Sequence, residues 1–285
     1  LAGGAAAEEE AAAPAPARRV VVCVLPFTNM SGDAEQEYFS DGISEDIIVD
    51  LSKVSALSVV ARNTAFTLKG KPVDPASLSR DFGVTHILEG SVRKAGTRVR
   101  ITTELIDCAD SRQVWAERYD RDLDDIFAIQ DEISKAIVAA LQLKLLPREK
   151  KAIEKRGTTS SEAYNLYLLA RQHWISGNIG DRRRDEAVIR ICRQVVTIDP
   201  NYAKAWALMA LAQSEMRFWH GREDDGIPAA ERALELDPNL AEAYCVKARS
   251  LQNDGNTEEA NRQLETALAL DPVHPPSPPA TPHMP

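Results

Sequence analysis

The chain is poor in the features that most readily announce a chemistry. No apolar run approaches the roughly 18 residues that a membrane helix needs, so no membrane insertion by this chain is expected. Cysteine is scarce: the four present, Cys23, Cys108, Cys192 and Cys245, stand far apart. Metal ligands normally come as close pairs, so these read as small apolar core residues, and neither a metal nor any other cofactor is expected. Glycine clusters are missing too. Neither the dinucleotide nor the phosphate-loop pattern occurs; Gly32 and Gly42 stand alone, and Asp33, Glu35 and Glu37 beside Gly32 would repel a phosphate. Positive charge is in deficit, with a net charge of −9 across 285 residues, which argues against nucleic-acid binding by this chain. The local exception, Arg182, Arg183 and Arg184, reads as a solvated loop. No catalytic residue is assigned: His86 has Asp81, Ser91 and Asp107 near in sequence, but no nucleophile elbow or paired metal spacing accompanies it.

The first nineteen residues, LAGGAAAEEEAAAPAPARR, are small, acidic and proline-bearing rather than basic and then apolar, so they read as a disordered linker and not a signal peptide. A chain that starts inside a linker without Met reads as a piece of a longer protein or a processed form.

What is present begins with VVVCVLPF, an apolar β-branched run suited to an interior strand that ends at Pro26. The loop TNMSGDAEQEYFS follows, and then a helix with Ile43, Ile47, Ile48, Leu51 and Val54 on one face and Asp41 as its cap. Loops after parallel strands commonly bind ligands, so Asn29, Ser31 and Asp33 form a candidate contact site; Asn-x-Ser-Gly-Asp is equally good turn chemistry. A second strand near Leu57 to Ala61 runs into Arg62 and Asn63, which either share that rim or pin the loop. Asp74, Pro75 and Gly83 punctuate a short helix. Two alternating strands joined across Lys94, Ala95 and Gly96 follow; Val99, Ile101, Thr103 and Leu105 share the inner face of the second. A further strand near Gln113 to Tyr119 completes a mixed sheet of five strands, and a long helix bearing Ile126, Ile129, Ile133, Ile137 and Leu141 ends at Pro147. The expected division is an α/β head over 20–147, a joint over 148–160, helical repeats over 161–272 and a proline-rich disordered tail over 273–285.

The repeats are marked by TIDPNYAKAW, ELDPNLAEAY and ALDP, whose prolines 200, 238 and 272 lie 38 and 34 residues apart. In the last unit Tyr244, Ala248, Leu251, Gly255, Ala260, Leu264, Ala267 and Pro272 follow the pattern of large and small residues that interlocks two helices. These residues resemble tetratricopeptide repeats, whose first helices line a surface that binds peptides or proteins. The resemblance implies a partner-facing set of Asn165, Gln172 and His173 in the first unit, Lys204, Leu211 and Ser214 in the second, and Arg249, Gln252 and Asn253 in the third; a spacer or dimer surface is the alternative. Phe218 and Trp219, beside about four extra residues in the middle unit, are either core or an exposed partner patch. With no polar capping helix evident after the third repeat, the last helix either exposes apolar surface or is covered by a second copy.

The segments VLPFTNMSGDAEQEYFSDGISEDI, VARNTAF, THILEGSVRKAGTRVRITTELID and WAERYDRDLDDIFAIQDEI resemble the TolB amino-terminal-like domain that precedes such repeats in many bacterial proteins. The fold class implied is α+β for the head, followed by an all-α repeat array. The resemblance implies a non-catalytic regulatory or scaffolding module of a bacterial signalling protein, cytoplasmic or tethered at the inner membrane, with the periplasmic side open. Two alternatives stand beside it: the carboxyl-terminal portion of an adenylate cyclase whose catalytic domain precedes residue 1, and an envelope-associated assembly factor.

Overall fold

In the computed structural model, which describes residues 20–270, the apolar opening run forms β1 (Val20–Val24), and Val22, Cys23 and Val24 are fully buried. β1 stops just short of Pro26, as its residues suggest, but the chain returns to the sheet beyond that proline. Two residues later it forms β2 (Thr28–Asn29), a strand with no sequence signal, since two residues cannot show alternation. A 3₁₀ turn over Ala34–Gln36, capped by Asp33 through the Glu35 amide (2.9 Å), leads into α1 (Glu37–Ser52). The helix therefore begins four residues before Asp41, which is an interior residue bonded to Lys69 and not the expected cap.

β3 (Leu57–Val59) and two short helices, α2 (Arg62–Phe66) and α3 (Pro75–Phe82), come next. The punctuation of α3 works as its residues suggest: Asp74 accepts from the Ser77 amide, Pro75 takes the first turn and Gly83 adopts φ +67°. β4 (His86–Ala95) and β5 (Arg98–Asp107) pair antiparallel through Ala95↔Arg98. Lys94 and Ala95 thus belong to the strand rather than to the connection; only Gly96 and Thr97 turn the chain, with Gly96 at φ +57°. β6 (Arg112–Asp122) is longer than expected at both ends.

The sheet has six strands, not five, in the order β3-β1-β4-β5-β6, with β2 also on β4. The sixth exists because β4 spans ten residues and β1 only five: beyond Val24 the edge of β4 has free backbone groups, and Thr28 and Asn29 pair with Ser91 and Val92. Inward-facing Val99, Ile101, Thr103 and Leu105 are all buried, whereas Arg98, Arg100 and Thr102 on the other face are exposed. α4 (Ile126–Ala140) buries Ile126, Ile129, Ile133 and Ile137 beside α1 on one face of the sheet. On the other, α2 and α3 cover Cys23, Ile87 and Cys108. Burial pushes the thiols of Cys23 and Cys108 up to about 11 and that of Cys192 up to about 12, as suits core residues.

Pro147 does not terminate α4, which ends seven residues earlier; it is the first residue of α5 (Pro147–Glu154), where its missing N–H costs nothing. The first half of the expected joint is therefore a helix docked on the head. Glu149 accepts from the Ser55 hydroxyl (2.6 Å) and amide (3.0 Å) and from the Leu146 amide (2.9 Å). Those bonds hold its carboxyl at about 2, below the ordinary 4.5. Because the folded value is the lower one, this contribution to stability is complete above about pH 5 and is lost as pH falls from 4.5 towards 2. Acid titration of the unfolding midpoint should show a shallower fall for Glu149→Gln than for the wild type across that window, together with a lower plateau at neutral pH.

Three helical hairpins complete the described chain: α6 (Ser161–Ser176) with α7 (Arg182–Ile198), α8 (Ala203–His220) with α9 (Ile227–Leu236), and α10 (Ala241–Asn253) with α11 (Thr257–Leu270). Alanines such as Ala210, Ala230, Ala233 and Ala243 are buried where neighbouring helices approach. The arginine triplet is not a loop: it forms the first turn of α7, capped by Asp181, and Arg184 is buried over the Trp174 ring (4.5 Å) and paired with Asp185 (2.7 Å). Residues 1–19, Pro272 and the tail over 273–285 lie outside the described residues.

Candidate functional site

α1 carries carboxylates at Glu37, Asp41 and Glu45, four residues apart and hence on one helical face. Lys69 meets the first two (2.8 and 2.6 Å). Glu45, buried, pairs with Arg62 from α2 and with Arg171 from α6, so one carboxylate bridges head and array. One residue further on, Asp46 accepts from the Tyr164 hydroxyl (2.5 Å) and the Gln130 amide (3.1 Å), and Gln130 also donates to Tyr164 (2.9 Å). Burial first, and then Asp46, raises the Tyr164 phenol far above its ordinary value, so it stays a neutral donor. Asp50 sits under Lys53 (2.9 Å) and Arg156 (3.1 Å), and Arg156 also pairs with Asp131. Burial raises the Asp50 carboxyl and the two cations pull it back. Apolar contact fills the rest: Leu168 lies against Gly42, and Phe127 meets Tyr164 edge-on at 5.1 Å.

This junction consumes part of the expected partner set. Asn165 takes bonds from Lys94 (2.7 Å) and Tyr38 (3.2 Å) of the head. Leu211 and Ser214 are largely buried within the array, and Arg249 is held by Glu215 (2.6 Å) with its guanidinium over Phe218. Gln172, His173, Lys204, Gln252 and Asn253 keep exposed or half-exposed side chains. Within the set, the Arg249 guanidinium reaches the Ser214 hydroxyl at 3.5 Å.

At the head loop, Asn29 donates to the Asp33 carbonyl (2.8 Å) and accepts from the Ser31 amide (2.9 Å), Ser31 accepts from the Lys94 amide (3.0 Å), and Asp33 caps the following turn. These groups bind one another. Arg62 lies over the Phe66 ring at 4.2 Å besides pairing with Glu45, and Asn63 is exposed. His86 shares a bond with the Thr85 hydroxyl (2.9 Å).

A different surface stands out at the tip of the array. Ile179 is 73% exposed, Trp219 47% and Ile175 45%. Trp219 is fixed in place: its Nε1 donates to Glu215 (2.7 Å), its ring lies along Gly180, and Phe218 meets it edge-on at 4.8 Å. His220 bonds the Gly180 carbonyl (3.1 Å) and ties the two loops together. Ile175 and Ile179 escape the sequence reading because an isoleucine near a helix end looks like core; the signal is the company of Gly177, Asn178 and Gly180, which marks a turn. At the other end of the array, Leu268 and Leu270 on α11 are also exposed. Among the described residues no helix is long and apolar enough to cross a membrane.

Residues 18–136 match the family described as HilA/YgeH-like transcriptional regulator, second domain, and residues 229–269 match the tetratricopeptide repeat. The head is therefore similar to a regulator domain that its resemblance to TolB does not name. The repeat class is one that generally mediates protein–protein contacts. A relative in Rhizobium meliloti (strain 1021), named "Putative adenylate cyclase 3", is 42% identical over 250 residues, which is 87% of this chain; the chain spans only 40% of that relative's length. Among solved structures, TolB from Acinetobacter baumannii is 17% identical with a TM-score of 0.33, covering 45% of this chain and 29% of TolB. Lipoprotein GNA1162 from Neisseria meningitidis is 19% identical with a TM-score of 0.32, covering 45% of this chain and 99% of the lipoprotein.

Proposed function

We propose that this chain is a non-catalytic recognition module of a bacterial signalling protein, in which the α/β head holds a short repeat array at a set orientation and the array's tip engages a protein partner. The observation that carries it is the exposed Trp219, held by Glu215 and lying along Gly180, the residue after the exposed Ile179, an anchor of the kind that dominates protein interfaces. Of the partner set inferred from the repeats, Gln172 and His173 precede Ile175 on α6, and Gln252 and Asn253 close α10. The similarity to part of a protein named as an adenylate cyclase supports a setting in which a longer chain supplies an output domain and these residues supply recognition.

Affinity capture from extracts of the source cell, read by quantitative mass spectrometry, tests this with Trp219→Ala and Ile179→Ser beside Asn63→Ala as a distant control. The tip variants should lose the captured partner by at least about tenfold, as expected for a hot-spot residue, with circular dichroism unchanged. Equal recovery by all four chains would remove the tip from the interface. Self-association through α11 is a second reading, favoured by the exposed Leu268 and Leu270; a differently tagged second copy in the same capture reads it out.

A further inference from the structure

β6 is an edge strand of 11 residues. β5 pairs with it on one side, and among the described residues no strand lies on the other. Long edges are normally blunted by a proline, a bulge or an inward-pointing charge. β6 has no proline, and its register shift lies beyond Trp115, so the pairing from Leu105↔Trp115 to Arg98↔Asp122 is regular. Glu117 is the inward charge: it stands opposite the buried Thr103, on the face of Trp115 and Tyr119, and accepts from the Tyr119 hydroxyl (3.1 Å). Arg118 is exposed and has no hydrogen bond or ion pair among the described residues.

The ladder decides which backbone groups are free. The Leu123 amide donates to the Thr97 carbonyl (2.7 Å), one step past the Arg98↔Asp122 pair. Bonded and unbonded pairs alternate in an antiparallel ladder, so Glu117, Tyr119 and Arg121 spend their amides and carbonyls on β5. Those of Ala116, Arg118, Asp120 and Asp122 point to the open edge. The charges along this edge are antisymmetric about Tyr119. Turned end for end there, the strand sets Glu117 against Arg121, Arg118 against Asp120 and Trp115 against Leu123. The same register sets Ala116 against Asp122, so outward backbone groups face outward backbone groups throughout. Neighbouring registers lose the match: centred on Glu117 or on Arg118, they oppose that charge to its own copy, which destabilises a strand pair.

We propose that two copies of this chain associate through β6, antiparallel and about a two-fold axis at Tyr119, joining their sheets edge to edge. The outward backbone groups from Ala116 to Asp122 then pair across the axis, Arg118 gains Asp120, and Glu117, which would repel an uncharged strand, meets Arg121. A foreign strand would have to carry this charge order, and the chain itself supplies it. Opposed residues of an antiparallel pair point to the same face, so α4 of each copy stays on the same side of the joined sheet. A strand pair of this length is a small interface, so the association is concentration-dependent.

The test uses the full chain. Sedimentation velocity over a concentration series should show a reversible monomer–dimer equilibrium for the wild type. Arg118→Asp and Asp120→Arg each oppose like charges across the axis and should weaken the dimer at least about tenfold. Mixed in equal amounts, the two variants restore both opposite-charge pairs and should form a heterodimer. Asp120 also pairs with Arg98 and Arg100 at the surface (2.7 and 2.5 Å), contacts of small worth to the fold. Ala116→Pro removes an outward N–H that β5 does not use, and should weaken the dimer by a similar factor with circular dichroism unchanged. Leu268→Ser/Leu270→Ser should leave the dimer intact. A wild type that stays monomeric throughout the series would overturn the proposal and leave the edge to a strand of another protein. A dimer that survives both Arg118→Asp and Ala116→Pro, or one abolished only by the α11 double variant, would overturn it too, and two variants that fail to combine would overturn the register. None of these results depends on the partner capture at Trp219.

Discussion

Gly226→Ala should unfold the middle of the repeat array at markedly lower denaturant, at a cost of roughly 2–5 kcal/mol. Gly226 precedes α9 at φ +80°, a backbone conformation that costs a residue with a β-carbon about 1–2 kcal/mol. A β-carbon there would also lie 2.3 Å from the backbone carbonyl oxygen of Ala210. A backbone atom inside a packed helix cannot swing aside as a side chain can, so the overlap adds an overpacking cost of about 1–3 kcal/mol. Gly221, in the same inter-helix connection at φ +64°, is the internal control, because a β-carbon there meets nothing within 4 Å. Gly221→Ala should cost only about 1–2 kcal/mol, the conformational part alone. Urea unfolding of the two variants separates them: equal midpoints would mean that the close approach of α8 to the start of α9 does not constrain the fold.

The second large effect lies where head meets array. Gly42 sits inside α1, where alanine would ordinarily be favoured by about 1 kcal/mol, yet its β-carbon would fall 2.6 Å from both terminal methyls of Leu168, itself 5% exposed. Overpacking should offset or outweigh the helical gain, so Gly42→Ala should destabilise by up to about 2 kcal/mol. Leu168→Ala opens a cavity at the same contact and should cost about 2–4 kcal/mol. The two changes are complementary in volume. Combined, they should cost at least about 1 kcal/mol less than their sum, because the new methyl occupies space that the leucine vacates. Additive behaviour in a double-mutant cycle of unfolding free energies would show that α1 and α6 do not rest on each other.

That contact explains why α1 is harder to read than its neighbours. Its apolar periodicity picks out Ile43, Ile47 and Leu51, but Ser44, Glu45 and Asp50 are buried as well, Ser44 accepting from the Phe27 amide, Glu45 pairing with Arg171 of the array and Asp50 lying under Arg156 of the joint. A stripe of acids on an amphipathic helix ordinarily reads as a solvated face. Here Glu45 is buried by Arg171, 126 positions away in the chain, and nothing local to either residue announces the pairing. The head loop shows the reverse: Asn29, Ser31 and Asp33 have the side chains of a binding rim and of a turn alike, and in the structure they hydrogen-bond to one another and to β4.

By itself the sequence determined the kinds of element and their cores, because alternation in β5, the isoleucine ladder of α4, the Asp-Pro-Gly punctuation of α3 and the small residues of the repeats are all set by steric and hydrophobic preferences within a few positions. Tertiary structure alone decided which polar groups remain available. Asn165 is taken up by Lys94 and Tyr38, Tyr164 by Asp46 and Arg249 by Glu215, leaving Trp219, Ile179 and Arg118 facing outward. The reason is physical: a hydrogen bond or ion pair depends on a few ångströms between atoms, and those distances are set by how α1 and α6 pack rather than by the order of residues along either.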